Sequence, residues 1–274
     1  MDQRGAVAVW GAGGRVGREL VSALERHPAL RLGLAAGRAH DPRDPALRAA
    51  LSSCVGVVDF SLPEAQPALL DALDALDAAG RPLPLVTGVT GLSAAGWGAL
   101  EARARRAPTL HAANFSLGVA LLARLTAQAS RALGPSFDVE VFELHHRQKR
   151  DAPSGTALHL ARAAAEARGG ALSDAPTALP RDPALVHVSA GRGGQVVGEH
   201  TVFLLGEAER LELTHRAASR AVFAHGALRA LEWLRARPAG ALHTLDDLLD
   251  DLLGAPLGAP LGVAGGAGGA REGS

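Results

Sequence analysis

The chain is nearly without lysine. Its 28 lysine and arginine residues include a single lysine, Lys149, and all the others are arginine. This composition, rich also in Ala, Gly, Pro and Leu, indicates that arginine has replaced lysine wherever positive charge alone is needed. A lysine ammonium group titrates when it is buried, whereas a guanidinium group stays protonated. The one lysine, which closely follows His145 and His146, is therefore a candidate for proton chemistry.

Cysteine is equally scarce, since Cys54 is the only one. No intramolecular disulfide can form, and a reducing compartment, the cytoplasm, is expected. The zinc-binding patterns Cys-x-x-Cys and His-Glu-x-x-His are both missing, and adjacent histidines on a strand are poor ligands for one ion. We therefore expect no resident metal.

Long apolar runs and an excess of charge are also lacking. No run approaches the roughly 18 to 20 apolar residues that a membrane span requires, and residues 7–10 are too short for a signal peptide. The formal net charge is zero, so neither nucleic acid nor an anionic membrane is an expected partner. A length of 274 residues with 47% hydrophobic residues predicts a globular protein with a sizeable core and room for two domains.

A glycine-rich loop follows the first predicted strand. Residues 6–10 are an apolar run typical of a buried parallel strand, and residues 18–26 carry apolar positions at helical spacing. Between them lies Gly11-Ala12-Gly13-Gly14-Arg15-Val16-Gly17. Glycines permit a tight turn, and a helix N-terminus offers free N–H groups to a pyrophosphate. Strand, glycine turn and helix together predict a dinucleotide site; a glycine turn without a ligand is the alternative.

The end of the second predicted strand, residues 30–36, bears on the choice of cofactor. An NAD site usually has an acidic residue there that binds the ribose 2′-hydroxyl group. This chain has Gly37 and Arg38 at that place, although Asp41 lies nearby. A base without an acid suits a 2′-phosphate better, so we expect NADPH to be favoured and NADH to be possible.

Three further strands are predicted in the same region, at residues 55–60, 84–87 and 109–113. The loop 88–91 follows the second of these strands, and Asn114 and Phe115 follow the third. Loops at the carboxyl ends of parallel strands line the ligand crevice. The alternation of strands and helices predicts a Rossmann-like, doubly wound parallel sheet.

The residues with the most chemical potential lie between positions 139 and 156. An apolar strand interleaved with Glu140 and Glu143 leads into His145 and His146. Neighbouring strand residues face opposite sides, so the two histidines are not expected to share one role. The pair together with Lys149 nevertheless favours a functional role over a structural one.

A predicted helix begins directly after this segment. Ser154 can act as its N-cap, which leaves the amides of Gly155 and Thr156 free at the first turn. Such a turn binds anions, and the basic residues before it favour a carboxylate or phosphate over an ordinary cap. A hydrolase built on Ser154 is disfavoured, because the motif Gly-x-Ser-x-Gly is absent and the glycine loop would have no use.

The remaining elements predict a second, smaller α+β domain. Apolar strands at residues 185–189, 196–205 and 210–215 indicate a small mixed or antiparallel sheet that carries the substrate. The helices predicted at 220–237 and 245–253 are expected to pack back on the nucleotide domain. The prediction is thus a discontinuous dinucleotide-binding domain (1–115 and 219–253), a substrate-binding and oligomerisation domain (116–218) and a disordered tail (254–274).

Four segments together resemble one protein family. They are residues 143–157 around Lys149, the glycine loop 11–17, Ala112-Ala113-Asn114-Phe115-Ser116 and Gly198-Glu199-His200-Thr201. Over about residues 6–250 the chain resembles the dihydrodipicolinate reductases, and the segment around Lys149 is the most specific part. The resemblance implies the two-domain fold just described and a homotetramer built through the sheets of the substrate domain.

The resemblance also implies an activity and a set of site residues. The activity is 4-hydroxy-tetrahydrodipicolinate reductase, which transfers a hydride from NAD(P)H to a dehydrated cyclic imine dicarboxylate in the diaminopimelate route to L-lysine. His145 would donate and accept a proton, Lys149 would donate one, and the substrate carboxylates would be held by His146, Gly155 and Thr156. With Arg38 added from the charge argument, the cofactor residues would be Gly11, Ala12, Gly13, Gly14, Arg15, Val16, Arg38, Gly88, Val89, Thr90, Ala112, Ala113, Asn114 and Phe115.

Three positions depart from the family pattern. Gly37 stands where an acid is often found, Val89 replaces one threonine of a Gly-Thr-Thr-Gly loop, and Leu62 stands where a basic side chain often holds the cofactor, which counts against NADPH. Two other functions are considered. A catalytically silent dinucleotide-binding sensor would have no use for the histidine pair beside Lys149, and a related amino-acid dehydrogenase would have none for residues 151–156.

Overall fold

The structure is a computed structural model that describes residues 2–41, 43–173, 182 and 184–254. In chain order its strands are β1 (Gly5–Trp10), β2 (Leu30–Ala36), β3 (Gly56–Asp59), β4 (Leu85–Thr87), β5 (Thr109–His111), β6 (Asp138–His145), β7 (Ala171–Leu172), β8 (Leu185–Arg192), β9 (Glu199–Leu205), β10 (Arg210–Arg216) and β11 (Leu242–His243). Its helices are α1 (Arg15–Arg26), α2 (Pro45–Ser52), α3 (Gln66–Ala78), α4 (Ala94–Ala104), α5 (Leu117–Leu133), α6 (Gly155–Arg168), α7 (Ala221–Leu234) and α8 (Leu245–Leu253). The predicted disordered tail lies, except for its first residue, outside the described residues.

The first sheet has six strands in the order β11-β5-β4-β3-β1-β2, and every pairing in it is parallel. The chain leaves β1 to form β2 on one side and returns to form β3 on the other. This reversal is the topological switch point at which open parallel sheets bind ligands. The predicted Rossmann-like fold is confirmed.

Both faces of this sheet are covered, which explains the nearly continuous apolar character of β1. Val7 and Val9 face a core shared with α1, α7 and α8. Ala8 and Trp10 alternate with them and face α2 and α3 on the other side. The two C-terminal helices therefore pack against the N-terminal sheet, while the division of the chain into domains stays a prediction.

The second sheet is mixed, with the order β10-β9-β6-β8-β7. Its central strand β6 pairs antiparallel with β9 and parallel with β8. Helices α5 and α6 cover one face, where Val139 and Val141 pack against Leu160. On the opposite face Phe142 is 44% exposed. No helix within the described residues is long and apolar enough to cross a bilayer.

Some element boundaries differ from the predictions. β5 ends at His111 and not at residue 113, and β6 ends at His145. Helix α6 begins at Gly155, directly after its N-cap Ser154, whose hydroxyl group accepts a hydrogen bond from the amide of Ala157. The two-residue strand β11 was not predicted, since so short a segment carries no periodic pattern.

Candidate active site

The glycine loop after β1 has the geometry that its sequence predicts. Gly11 has a φ angle of +80°, and a Cβ atom on it would lie 2.6 Å from the carbonyl oxygen of Phe60. A Cβ atom on Gly17 would lie 2.2 Å from the carbonyl oxygen of Gly11, so α1 packs directly on the turn. Gly14 caps α1 without a side-chain hydrogen bond. The first N–H groups of α1 are thus left for an anion.

A cavity of about 700 Å³ lies beside the first residues of α1 and the loops after β4 and β5. Residues of the second sheet and its loops also line this cavity, so predicted cofactor residues and predicted substrate residues border the same space. The predicted cofactor residues that line it are Arg15, Val16, Gly88, Thr90, Ala113, Asn114 and Phe115. A second cavity, of about 680 Å³, is lined by Gly11, Gly13, Gly14 and Arg38.

Three predicted cofactor residues, Ala12, Val89 and Ala112, line neither cavity. The side chain of Val89 is buried, while its amide donates to the hydroxyl group of Thr87 and its carbonyl oxygen lies 2.9 Å from Nε2 of His111. The departure from Gly-Thr-Thr-Gly therefore falls on a side chain that is turned away from the cavity. The backbone of Val89 contacts Thr87 of β4 and His111 of β5 and so helps to fix the loop.

The second cavity contains the position that distinguishes NADPH from NADH. Asp41 accepts two hydrogen bonds from the Arg43 guanidinium, at 2.9 and 3.0 Å, which lower the pKa of its carboxyl group. Its charge is thereby offset, whereas Arg38 lines the cavity without a carboxylate partner within the described chain. Leu62, 49% exposed, adds an apolar surface to the same cavity.

The predicted catalytic and substrate residues meet in the larger cavity. His145, His146, Lys149 and Thr156 all line it, and Gly155 is the first residue of α6. The two histidines line one cavity although neighbours on a strand face opposite sides, because β6 ends at His145 and strand alternation does not extend to His146. That they do not share one role stays a prediction.

The ammonium group of Lys149 is held at the cavity by a carboxylate. Its Nζ atom donates to Oδ2 of Asp151 at 2.8 Å, and this contact lowers the pKa of Asp151. The pKa of His146 is also lowered, first by desolvation and then by repulsion from Arg220. Arg15 and Arg150 line the same cavity. The resulting excess of positive charge suits an anionic ligand.

A buried carboxylate, Glu143, lies close to His145 and His200. Its Oε2 atom lies 2.7 Å from Nδ1 of His145. Its Oε1 atom accepts from the amide of Ser154 and from Arg192, each at 2.9 Å. Burial opposes ionisation, but the contacts with His145, Ser154 and Arg192 outweigh it and lower the pKa of Glu143 to about 2.

His200 completes this buried group. Its ring packs edge-on against that of His145 with centroids 5.1 Å apart, and its Nε2 atom lies 3.4 Å from the Ser154 hydroxyl group. Desolvation, followed by repulsion from His145, lowers the pKa of His200 to about 4. His200 is consequently neutral near pH 7.

Three of these side chains form a cluster of the kind that can bind a metal ion. Glu143, His145 and His200 could each offer one ligand atom to an ion. A zinc ion holds nitrogen and oxygen ligands at about 2.0–2.2 Å, which places any two of them roughly 3 Å or more apart. The Glu143 Oε2 and His145 Nδ1 atoms, 2.7 Å apart, are closer together than two ligands of one zinc ion, although they do not form a well-aligned hydrogen bond either. The expected absence of a metal stays a prediction.

One side-chain hydrogen bond joins the two sheets' loops across the cavity. Nδ2 of Asn114, after β5, donates to Oγ1 of Thr156, in the first turn of α6, at 3.1 Å. Oδ1 of Asn114 accepts from the amide of Ser116 at 2.8 Å and fixes the orientation of the side chain. A predicted cofactor residue and a predicted substrate residue are therefore in direct contact.

Glu143, Arg192 and His200 belong to the site although no chemical role was predicted for them. A usable signal existed for Glu143, because residues i and i+2 of a strand share a face and Glu143 therefore accompanies His145. Arg192 lies opposite His145 in the pairing of β6 with β8, and only the strand register reveals this. His200 is likewise opposite Glu143 on β9.

The chain matches two protein-family models along most of its length. Residues 6–115 match the N-terminal domain of dihydrodipicolinate reductase, and residues 118–249 match its C-terminal domain. A 4-hydroxy-tetrahydrodipicolinate reductase of Halorhodospira halophila is 39% identical over 267 residues, and one of Sulfurimonas denitrificans is 42% identical over 257. Each comparison covers 89% of this chain and 98% of the relative.

Solved structures show the same fold. A dipicolinate-bound dihydrodipicolinate reductase from Paenisporosarcina sp. TG-14 superposes with a TM-score of 0.70 at 20% identity, covering 88% of this chain and 97% of that one. A DAP dehydrogenase of C. glutamicum, in complex with DAP, gives 0.52 at 15% identity, covering 92% and 99%. At these identities the likeness concerns the fold alone.

Proposed function

Because this chain belongs to the dihydrodipicolinate reductase family, we propose that its larger cavity is where a cyclic imine dicarboxylate is reduced. The expected function, an NAD(P)H-dependent 4-hydroxy-tetrahydrodipicolinate reductase, is confirmed by the comparisons. The proposal for how this chain reduces the substrate depends on one observation. His145, Lys149 and the start of α6 line the same cavity as Arg15 and Gly88, which belong to the cofactor loops.

The glycine loop fits a dinucleotide. The positive φ of Gly11, the direct packing of Gly17 and the open space beside Gly13 let a pyrophosphate approach the N-terminus of α1. We assign the remaining predicted cofactor residues to the loops after β4 and β5, with Val89 acting through its backbone. The reduced nicotinamide supplies a hydride when it is bound.

Protons come from the second sheet. Hydride transfer to the ring builds negative charge on the substrate, which a positioned acid relieves by donating a proton. Lys149 donates this proton, and His145 acts as proton acceptor and donor at the same cavity, so that its own proton count is unchanged at the end of the cycle. The ring thus gains one hydride and one proton, and no covalent bond to the protein is needed.

The substrate carboxylates are held at the start of α6. The amide of Gly155 and the hydroxyl group of Thr156 lie at a helix N-terminus, which attracts anions. His146 lines the same cavity and contributes to holding the substrate carboxylates. A dicarboxylate is the ligand that this charge pattern favours, in agreement with the dipicolinate bound by the Paenisporosarcina protein.

NADPH is the preferred cofactor in this proposal, with NADH also used. Arg38 lines the cavity that would receive the adenosine ribose, and Asp41 is engaged by Arg43. A 2′-phosphate would therefore meet a guanidinium that has no carboxylate partner among the described residues, whereas a 2′-hydroxyl would need an acid. Leu62 supplies an apolar contact and no charge.

The assembly is proposed to be a cytoplasmic homotetramer. The face of the second sheet that carries the exposed Phe142 suits contact with other copies of this chain. We propose a discontinuous dinucleotide-binding domain, 1–115 with 219–253, because α7 and α8 share a core with β1 and α1. Residues 116–218 form the substrate-binding and oligomerisation domain.

A comparison of the two cofactors tests this proposal. The oxidation of NADPH and of NADH is followed by absorbance, with the freshly generated product of dihydrodipicolinate synthase as substrate. We expect turnover with both cofactors and a higher kcat/KM with NADPH, and Arg38→Ala should reduce that preference by about tenfold or more, as the loss of one charged contact does. Equal kcat/KM values in the parent protein would contradict the assigned role of Arg38.

Neither alternative function is favoured. A silent sensor would bind the cofactor without turnover, yet the family comparisons name reductases. An amino-acid dehydrogenase shares only the fold.

A further inference from the structure

We propose that Glu143 is a positioning residue for His145: it fixes the imidazole in the tautomer whose unprotonated Nε2 atom faces the cavity. The inference deepens the proposed function and rests on it, since His145 is the group that Glu143 would serve. Glu143 itself does not line the cavity and is fully buried.

A carboxylate oxygen of Glu143 is in close contact with Nδ1 of His145, without the alignment of a full hydrogen bond. Oε2 of Glu143 lies 2.7 Å from Nδ1 of His145. An ionised carboxylate can only accept, so two lone pairs would face each other if Nδ1 carried no proton. Nδ1 of His145 therefore carries the proton, and in the neutral ring Nε2 has the free lone pair.

The Nε2 atom of His145 faces a position without a side chain. A Cβ atom on Gly198 would lie 2.9 Å from Nε2 of His145. Gly198 itself lines the cavity together with His145. The absence of a side chain at this position thus leaves Nε2 open to a ligand.

The carboxylate of Glu143 is held rigidly by its other contacts. Its second oxygen accepts from the amide of Ser154 and from Arg192. Ser154 is the N-cap of α6, so one carboxylate fixes both the imidazole and the start of the helix proposed to bind substrate carboxylates. The imidazole nitrogen that accepts a proton and the substrate site are thereby held in one relative position, which is the geometric demand of general acid–base catalysis.

A double-mutant cycle separates positioning from a purely structural role. Glu143→Gln keeps the size of the side chain and removes its charge, and we expect kcat/KM to fall by about tenfold to a hundredfold, the range seen when the hydrogen-bond partner of a metal-bound histidine is lost. In the background of His145→Asn the same change should cost less than about threefold, because the ring it serves is gone. Equal losses in both backgrounds would overturn the proposal.

Two further variants control for the ion pair and for charge in general. Arg192→Gln removes a partner of Glu143 and leaves the contact with His145, so its loss of kcat/KM should be smaller than that of Glu143→Gln. Glu199→Gln removes a carboxylate of neighbouring β9 that pairs with exposed Arg216 and does not line the cavity, so its activity should match the parent protein. If Glu143→Gln does not fold, Glu143→Asp, which withdraws the carboxylate from Nδ1, replaces it in the cycle.

A second readout does not depend on turnover. Diethyl pyrocarbonate modifies an unprotonated imidazole nitrogen, and peptide mass spectrometry gives the rate at His145. Glu143→Gln should slow this reaction by about twofold or more, because two tautomers then share the ring. An unchanged rate would overturn the inference. If the parent protein does not reduce the substrate, the proposed function fails, and this rate still decides the role of Glu143.

Discussion

At the scale of single residues, the proposed proton transfer depends on side chains that are held in place by neighbouring carboxylates. Lys149 is paired with Asp151, and His145 lies against Glu143, so each proposed proton donor has a carboxylate beside it. The carboxylate of Asp151, which pairs with Lys149, is exposed to solvent, whereas the carboxylate of Glu143 is fully buried. The two donors therefore differ in how firmly their positions are fixed.

The first prediction concerns Lys149. Lys149→Ala should lower kcat by about a hundredfold or more, the contribution typical of a positioned acid, and leave the affinity for NADPH unchanged. Lys149→Arg should fail as well, because a guanidinium group does not release a proton near neutral pH. Steady-state kinetics and cofactor titration measure both effects. Near-normal turnover of the arginine variant would reduce Lys149 to a source of charge.

The second prediction concerns stability and pH. The pKa of His200 falls from 6.5 to about 4 on folding, so below about pH 6.5 the unfolded state binds more protons. The free energy of unfolding should then decrease as the pH falls from about 6.5 to 4, by about 3 kcal/mol for this group. His200→Gln should flatten the dependence in that window, which urea unfolding at several pH values would measure. A slope identical to that of the parent protein would remove His200 as its source.

At the scale of elements, local patterns determine a strand or helix, and tertiary pairing determines the site. The glycine loop and the α6 cap could be predicted, since a turn, an N-cap and a helix N-terminus are encoded by adjacent residues. The pairing of Arg192 with Glu143 could not, because it depends on the register of β8 against β6. The orientation of His146 relative to His145 could not be predicted for a related reason: strand alternation holds only up to the last paired residue.

The third prediction concerns the packing of α1 against the glycine loop that precedes it. Gly17→Ala should destabilise the protein by about 1–3 kcal/mol, because the new methyl group would overlap the carbonyl oxygen of Gly11. Gly98→Ala is the matched control, since Gly98 lies in α4 with open space around it and should gain up to about 1 kcal/mol from helix propensity. Thermal unfolding distinguishes the two. Equal melting temperatures would contradict the close approach at Gly17.

At the scale of the whole molecule, two sheets contribute different parts of one site. The parallel sheet supplies the dinucleotide loops, and the mixed sheet supplies proton donors and the anion-binding turn. A hydrogen bond from Asn114 to Thr156 connects their loops across the cavity. The fold class could be predicted from alternating elements, whereas the face of the mixed sheet that stays exposed became evident only from the packing of α5 and α6.

The fourth prediction concerns this exposed face. In solution the parent protein should have about four times the chain mass of 28.0 kDa. Phe142→Asp should reduce the mass measured by light scattering, because a charge would replace an exposed aromatic ring in the centre of the proposed contact. Trp97→Asp, at another exposed aromatic residue on α4, should leave the mass unchanged. A monomeric parent protein would contradict the proposed assembly.

This chain is proposed to transfer a hydride to a cyclic dicarboxylate held beside His145 and Lys149. The most direct measurement is product mass spectrometry after turnover with NADPH that carries deuterium at both C4 positions of the nicotinamide. We expect tetrahydrodipicolinate that is heavier by one deuterium, together with the oxidised cofactor. Bound cofactor with no labelled product would contradict the proposed hydride transfer.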